Sequence, residues 1–355
     1  MDFGGFESAD SICFIAQSSG TTGKSKFMPV TAHAQWRRHV QTPFEYLHDE
    51  PPIACSQMPH LSVLGLEYVF EPLMLGGAVV VSNDLSFMVG AGVNTVVGSP
   101  SQYRGLCEQP LPSAKIRCAV IGGGHCSDQL LDTLLKRFDL VHYQFGSAEL
   151  GRIAFNRFGA GAKNSNSVGK PIPTAQIEIV DSADNHLPPM VTGNVRARSD
   201  CPVSGVIGEN ALETFRDGWF YSGDIGFLSE DGGLTIVGRA NDVVNFGGVK
   251  LNAAAIDDLI LSIDGVKDGV CFAQSEFSVI NELGILVVPK IDEDAEATVS
   301  RVQEGLLAKF GARALAQRIY VANIIPRGEN GKVSRQSLAA SLAKATPFAI
   351  RRVES

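Results

Sequence analysis

Apolar residues fall into two rhythms along this chain, and the change of rhythm marks its organisation. Short continuous apolar runs at residues 12–16 (Ile-Cys-Phe-Ile-Ala), 78–81, 94–97, 117–121 and 140–143 read as buried strands. Residues 128–137 read as an amphipathic helix between the last two of these runs. Strand and helix alternate in this way with glycine turns between them, which implies parallel strands with helices on both faces. From about residue 176 the helical pattern disappears. Residues 176–180, 194–198 and 234–237 alternate in period two, with Gly and Pro between them, and predict an antiparallel barrel or small sheet. Beyond Arg239 the pattern changes again: helix at 253–263, strands at 266–273 and 283–288, helix near 298–310 and strand at 319–322. The expectation is an α/β protein. Its large N-terminal domain, 1–239, has a mostly parallel sheet with flanking helices plus a small β-barrel-like subdomain. A small α+β C-terminal domain, 240–355, follows a boundary at 239–242.

Composition narrows the function classes. The chain has 355 residues, enough for a large core, and a net charge of −8 from 30 basic and 38 acidic residues, which disfavours a nucleic-acid partner. No apolar run approaches membrane-spanning length, and Asp2, Glu7 and Asp10 precede the first apolar run, opposite to a secretory signal. The seven cysteines are scattered, without a CxxC pair, so a zinc site or disulfide framework is not expected and a reducing cytoplasm fits.

The most informative stretch is Ser18-Ser19-Gly20-Thr21-Thr22-Gly23-Lys24-Ser25-Lys26. Two glycines permit a bend that gathers backbone N–H groups, and hydroxyls and ammonium groups surround the same space, as a polyphosphate requires. It is not a Walker A loop, because Ser18 stands where that loop needs its first glycine. Alone, it reads equally well as a polar turn. Five more islands follow: Ile121-Gly122-Gly123-Gly124-His125, a glycine turn where a flat ring could approach bare backbone; Tyr143-Gln144-Phe145-Gly146-Ser147-Ala148-Glu149, ending in an acid at a strand's carboxyl edge; 219–226, with Gly223-Asp224; 238–248, with Arg239, Asn241 and Gly247-Gly248; and 326–335, with Lys332.

Together, in this order, the islands resemble the adenylate-forming superfamily of acyl- and aryl-CoA synthetases, peptide-synthetase adenylation domains and luciferases. The resemblance runs from Ile12 to Leu338. It implies ATP-dependent activation of a carboxylic acid to an acyl-adenylate with release of pyrophosphate, then transfer to the thiol of CoA or of a carrier-protein pantetheine arm. It assigns Ser19, Gly20, Thr21, Thr22, Gly23 and Lys26 to the β- and γ-phosphates and Glu149 to Mg²⁺. Gly123, Gly124, Phe145 and Gly146 fall to the nucleotide, Asp224 to the ribose hydroxyls, and Arg239 to a ribose or phosphate contact at the hinge. Lys332 is assigned to the α-phosphate and carboxylate, and Gly248 to the pantetheine tunnel.

Three departures matter. Ala148 stands where many members carry threonine, Asn241 stands where the hinge is usually Asp or Lys, and ordinary members carry a sizeable α/β segment before the phosphate loop. The last predicts uncovered apolar surface, and with it a homodimer or a partner protein. The acid pocket is expected at Ser62, Leu64, Tyr68, Gly122 and Tyr143, with Leu61, Val63, Leu66 and Tyr103 adding apolar or aromatic surface. Leu64 occupies the position where amino-acid-activating domains carry aspartate; it cannot pair with an ammonium, so a non-amino aryl or fatty acid is expected. Transfer to an amine and a degenerate nucleotide-binding scaffold are the alternatives.

Overall fold

The computed structural model describes residues 8–19, 25–40, 50–59, 62–162, 167–207, 215–240, 243–246, 249–274, 282–311, 318–327, 333, 338, 342 and 345–348. The chain forms two compact units that divide between Val237 and Gly238.

In the first unit, β1 (Ile12–Ser19) and β2 (Ser25–Thr31) pair as an antiparallel hairpin. The apolar run at 12–16 is therefore not a buried strand as expected. Ile12 and Ile15 are 54% and 59% exposed, and Ala16 is buried, because a two-stranded ribbon covers only one of its faces. Next come β3 (Ile53–Ser56), β4 (Ala78–Val79), β5 (Thr95–Gly98), β6 (Ile116–Ile121) and β7 (Phe138–Ser147), a parallel block in the order β4-β3-β5-β6-β7. The helix expected at 128–137 is shorter, Asp128–Leu135, and β7 starts earlier than its apolar run. Two strands that the sequence pattern did not predict come next, β8 (Gly151–Phe158) and β9 (Ser167–Pro171), and the period-two segment then supplies β10 (Ala175–Val180), β11 (Gly193–Ser199), β12 (Phe215–Arg216), β13 (Trp219–Leu228) and β14 (Leu234–Arg239). These continue the same sheet, in the order β10-β11-β13-β14-β9-β8 and on to β7, with β12 beside β13.

Both faces of the parallel block are covered. Helices Leu85–Gly90, Pro100–Cys107 and Asp128–Leu135 bury Leu85, Met88, Tyr103, Leu106, Leu130, Leu131 and Leu134 against Val96, Ala119, Ile121 and Val141. The opposite face packs Val97, Cys118 and Val120 against Tyr68 of helix Val63–Met74. Burial of these side chains drives the assembly, and their starts are set locally. Ser99, with Gln102, closes a capping box, and Ser62, Asp84 and Ser127 cap the other three helices. At the β4 edge of the sheet Phe70, Leu73, Met74 and Val81 are 46–75% exposed.

The second unit contains the hairpin β15 (Val243–Phe246) and β16 (Val249–Asn252), and a sheet of β17 (Val266–Gln274), β18 (Glu282–Pro289), β19 (Arg318–Val321) and β20 (Thr346–Phe348). Helices Ala253–Ser262 and Ala295–Phe310 cover one face of that sheet, burying Ile256, Ile260, Val302 and Leu306 on Cys271, Ile285 and Val287. Among the described residues no helix is long and apolar enough to cross a membrane.

Candidate functional site

Strands β5, β6 and β7 end side by side, and the turns after them form one edge. Gly122 N–H donates to the Gly98 carbonyl at 3.2 Å, which fixes the start of the turn Gly122-Gly123-Gly124. Gly123 has φ +76°, which favours glycine, and a Cβ there would meet nothing within 4 Å. One side of this turn is thus bare backbone open to a flat ligand. Its other side is supported: Tyr143 Oη donates to the Gly124 carbonyl at 3.1 Å, and Gln144 packs where a Gly122 side chain would stand.

Glu149 sits half-buried in the turn between β7 and β8. Gly146 permits this turn, since a Cβ would lie 2.5 Å from the Gly151 carbonyl oxygen. Leu150 N–H donates to Ser147 Oγ at 3.1 Å, and Val203 N–H donates to the Glu149 carbonyl at 2.8 Å. Arg38 Nη2 donates to the carbonyls of Ala148 at 3.1 Å and Glu149 at 3.3 Å. With those carbonyls engaged, the Glu149 carboxylate is the hard oxygen ligand the turn offers. Among the described residues no group of three or more His, Cys, Asp or Glu could hold a metal. Mg²⁺ keeps several waters and is held by one or two carboxylates together with substrate phosphates, so a single carboxylate on a fixed backbone fits it.

Lys26 lies on β2 opposite Ser18 in the hairpin register, and Ser19 ends β1. β2 is fastened by Phe27, which exchanges backbone hydrogen bonds with Ile207, and by Ser204 N–H donating to the Pro29 carbonyl at 3.0 Å. The segment 203–207 therefore touches both the β1–β2 hairpin and the Glu149 turn. Asp224 is buried in β13, within a register shift. Asn194 pairs with Ile225 but Arg196 with Tyr221, so Ser222-Gly223-Asp224 bulges opposite Val195. Asp224 N–H donates to Ser222 Oγ at 3.1 Å. Arg239 is the last residue of β14, and Phe145 is half-buried against the core. Gly20, Thr21, Thr22, Gly23, Leu61, Asn241, Gly247, Gly248 and Lys332 lie outside the described residues.

Several pocket expectations meet structural duties instead. Ser62 is the N-cap of helix Val63–Met74: its Oγ accepts from Gly65 N–H at 3.0 Å and donates to the Pro59 carbonyl at 2.7 Å. Tyr68 and Tyr103 are core residues and offer no surface to a ligand. Tyr68 Oη donates to Gln144 Oε1 at 2.8 Å, and Tyr103 Oη donates to the Val96 carbonyl at 2.7 Å. Leu64 lies on the first turn of the same helix.

Sequence reasoning missed a buried charge network behind this edge. Glu67 and Glu71, one helical turn apart, face Arg38 and Arg152, with His39 Nδ1 3.7 Å from Glu71 Oε1. Glu67 and Glu71 are both 2% exposed, and Arg152 also lies over the Tyr68 ring at 5.5 Å. Burial pushes the Glu67 carboxyl up, against the opposing pull of Arg38 and Arg152. The available signal was two glutamates spaced i, i+4 in an otherwise apolar helix. On the same side of β7, His142 is fully buried and stacks on Phe155, with ring centroids 4.8 Å apart.

The AMP-binding enzyme family profile matches residues 6–206. The 2-succinylbenzoate–CoA ligase of Enterococcus faecalis is 23% identical over 339 residues, spanning 92% of this chain and 69% of the relative. The enzyme of that name from Bacillus mycoides is 26% identical over 339 residues, spanning 91% and 69%. Among solved structures, O-succinylbenzoate coenzyme A synthetase from Bacillus subtilis in complex with AMP superposes with a TM-score of 0.80 at 20% identity, over 93% of this chain and 69% of that one. The amide bond synthetase of Marinactinospora thermotolerans gives 0.78 at 20%, over 93% and 69%. The McyG A-PCP structure with phenylalanyl-adenylate gives 0.81 at 22%, over 96% and 68%. A coenzyme A synthetase, an amide bond synthetase and an A-PCP structure share one fold, so the fold alone does not choose the acyl acceptor.

Proposed function

The chain belongs to the AMP-binding enzyme family, and from that premise we propose that it activates an aryl carboxylic acid with ATP and passes the acyl group to the thiol of CoA. In the first step a carboxylate oxygen attacks the α-phosphorus of ATP; the bond to the bridging oxygen breaks and pyrophosphate leaves. In the second step the thiolate sulfur attacks the acyl carbon and AMP leaves. The observation that carries the reading is the shared carboxyl edge. There the open Gly122-Gly123-Gly124 turn and the Glu149 turn end adjacent parallel strands, the place where open α/β sheets bind nucleotides.

On this reading the glycine turn takes the adenine face, Asp224 accepts the ribose hydroxyls, and Lys26 with Ser19, Gly20, Thr21, Thr22 and Gly23 holds the departing phosphates. Glu149 holds the Mg²⁺ that arrives with the nucleotide and offsets phosphate charge. Lys332 stabilises the transition state of the first step, and Gly248 lines the route of the pantetheine arm. The relatives named as 2-succinylbenzoate–CoA ligases make a succinyl-substituted benzoate the first acid to test. The apolar surface at Phe70, Leu73, Met74 and Val81 supports a homodimer.

The test is pyrophosphate release with ATP and Mg²⁺ over a panel of aryl, fatty and amino acids, with and without CoA. An aryl acid is expected to give turnover, with thioester formed when CoA is present. Turnover with α-amino acids alone would refute the acid class. Adenylate formation without thioester would move the acceptor to an amine or a carrier protein.

A further inference from the structure

We propose that Arg38 is a positioning residue: it clamps the Glu149 turn to the helix that follows the phosphate hairpin, so that Mg²⁺ meets a preset carboxylate. The inference rests on the activation chemistry proposed above. Arg38 lies on helix Ala32–Val40, which begins at the residue after β2. Its side chain is buried, and it meets the turn through backbone carbonyls. Nε donates to the Cys201 carbonyl at 3.2 Å, Nη2 to the carbonyls of Ala148 and Glu149, and Nη1 reaches Glu67 Oε1 at 3.5 Å. One planar fork thus ties together the hairpin's helix, the Glu149 turn, the segment leading to Ile207 and helix Val63–Met74, which borders the expected acid pocket.

The turn is built to receive it. Three consecutive carbonyls, those of Ala148, Glu149 and Leu150, each accept a donor from elsewhere in the chain, Leu150 from Ser199 Oγ at 3.0 Å. Gly151 has φ +74°, and a Cβ there would come within 3.3 Å of Arg38 Cγ and Nε, so the guanidinium stem lies flat on bare backbone. A fold needing only bulk at this position would be served as well by an apolar side chain, since buried ion pairs are often replaced without loss of stability. What an apolar chain cannot do is hold successive carbonyls in fixed directions. Lysine, with a single ammonium, cannot span them either. Groups that orient a metal ligand typically matter by about 10- to 100-fold in affinity or activity when removed.

The experiment compares the full chain with Arg38→Lys, the double variant Arg38→Met/Glu67→Gln, and Glu149→Ala. Calorimetry reads Mg²⁺ affinity for the complex with α,β-methylene ATP, which cannot release pyrophosphate. Thermal unfolding reads stability, and pyrophosphate release reads turnover. The double variant removes charge from both partners, so its unfolding midpoint is expected to stay near that of the parent. Its Mg²⁺ affinity is expected to fall at least ~10-fold, and its kcat by about 10- to 100-fold with the KM for the acid unchanged. Arg38→Lys is expected to fall in the same direction. If Glu149→Ala loses Mg²⁺ affinity while both Arg38 variants keep it within about twofold, the positioning role is overturned and the activation reading stands. A double variant that does not fold also overturns it, because Arg38 would then be a pillar of the fold. If Glu149→Ala itself binds Mg²⁺ as the parent does, the assignment of Glu149 fails, and the role of Arg38 falls with it.

Discussion

Replacing His142 with phenylalanine should remove a large part of the protein's sensitivity to mild acid. His142 lies in β7 with no exposed surface, and among the described residues neither ring nitrogen has a hydrogen-bond partner. Burial, aided by the nearby charges of Arg152 and Arg157, lowers its pKa from 6.5 to about 3. The folded state therefore keeps the ring neutral where the unfolded chain protonates it. Well above pH 6.5 the group adds no pH dependence; as pH falls from 6.5 toward 3 the unfolded chain binds the extra proton and stability declines. Linkage gives a loss of about 2 kcal/mol between pH 7.5 and pH 5, with a limiting slope of about 1.4 kcal/mol per pH unit. For a unit of this size that corresponds to roughly 4–8 °C in the unfolding midpoint. Phenylalanine can keep the stacking on Phe155, which holds the ring nearly parallel at 20°. The assay is urea unfolding of both proteins at pH 7.5, 6 and 5, scored as the difference between them, so that carboxylates common to both cancel. Parallel pH curves for the parent and His142→Phe would refute the argument.

Three further outcomes are expected. Glu149→Ala should lower Mg²⁺-dependent pyrophosphate release on the order of a hundredfold, and Asp224→Ala should raise the KM for ATP; unchanged kinetics in both would mean that the site lies elsewhere. Lys332→Ala should slow adenylation on the order of a hundred- to a thousandfold while leaving thioester formation from supplied acyl-adenylate nearly intact; Asn241→Pro at the hinge should do the reverse, and equal losses in both half-reactions would defeat the two-step assignment. Light scattering at micromolar concentration should give a dimer that Leu73→Lys dissociates; a well-folded monomer of the parent chain would count against the apolar surface as an interface.

The parallel block was legible because β5 and most of β6 are buried on both faces and so appear as unbroken apolar runs. β1 carries the same signature but lies in a surface hairpin, since an apolar run does not reveal how many neighbours cover it. The glycine turn at residues 122–124 could be read because turns impose residue types locally. Arg38, Glu67, Glu71 and Arg152 could not. Arg38 meets a partner 29 positions away, and Arg152 meets one 81 positions away, and nothing local distinguishes a buried pair from solvated charges. Tyr68 and Tyr103 misled for a related reason: an aromatic ring with a polar tip suits a pocket wall and a satisfied core position equally well.

The place of β14 in the sheet carries a consequence for the birth of the protein. It is the last strand of the first unit to leave the ribosome, yet it lies inside the sheet, between β13 and β9. A nascent chain that has reached residue 230 can pair β3 to β9 and can pair β10 to β13, but no hydrogen-bonded ladder joins the two sets. Emergence of Leu234–Arg239 closes that gap in one event, linking the strand that carries Asp224 to the edge that carries Glu149. A chain stalled or cleaved before that point would keep both sets of strands and leave an unpaired edge on each, an invitation to pair with other chains.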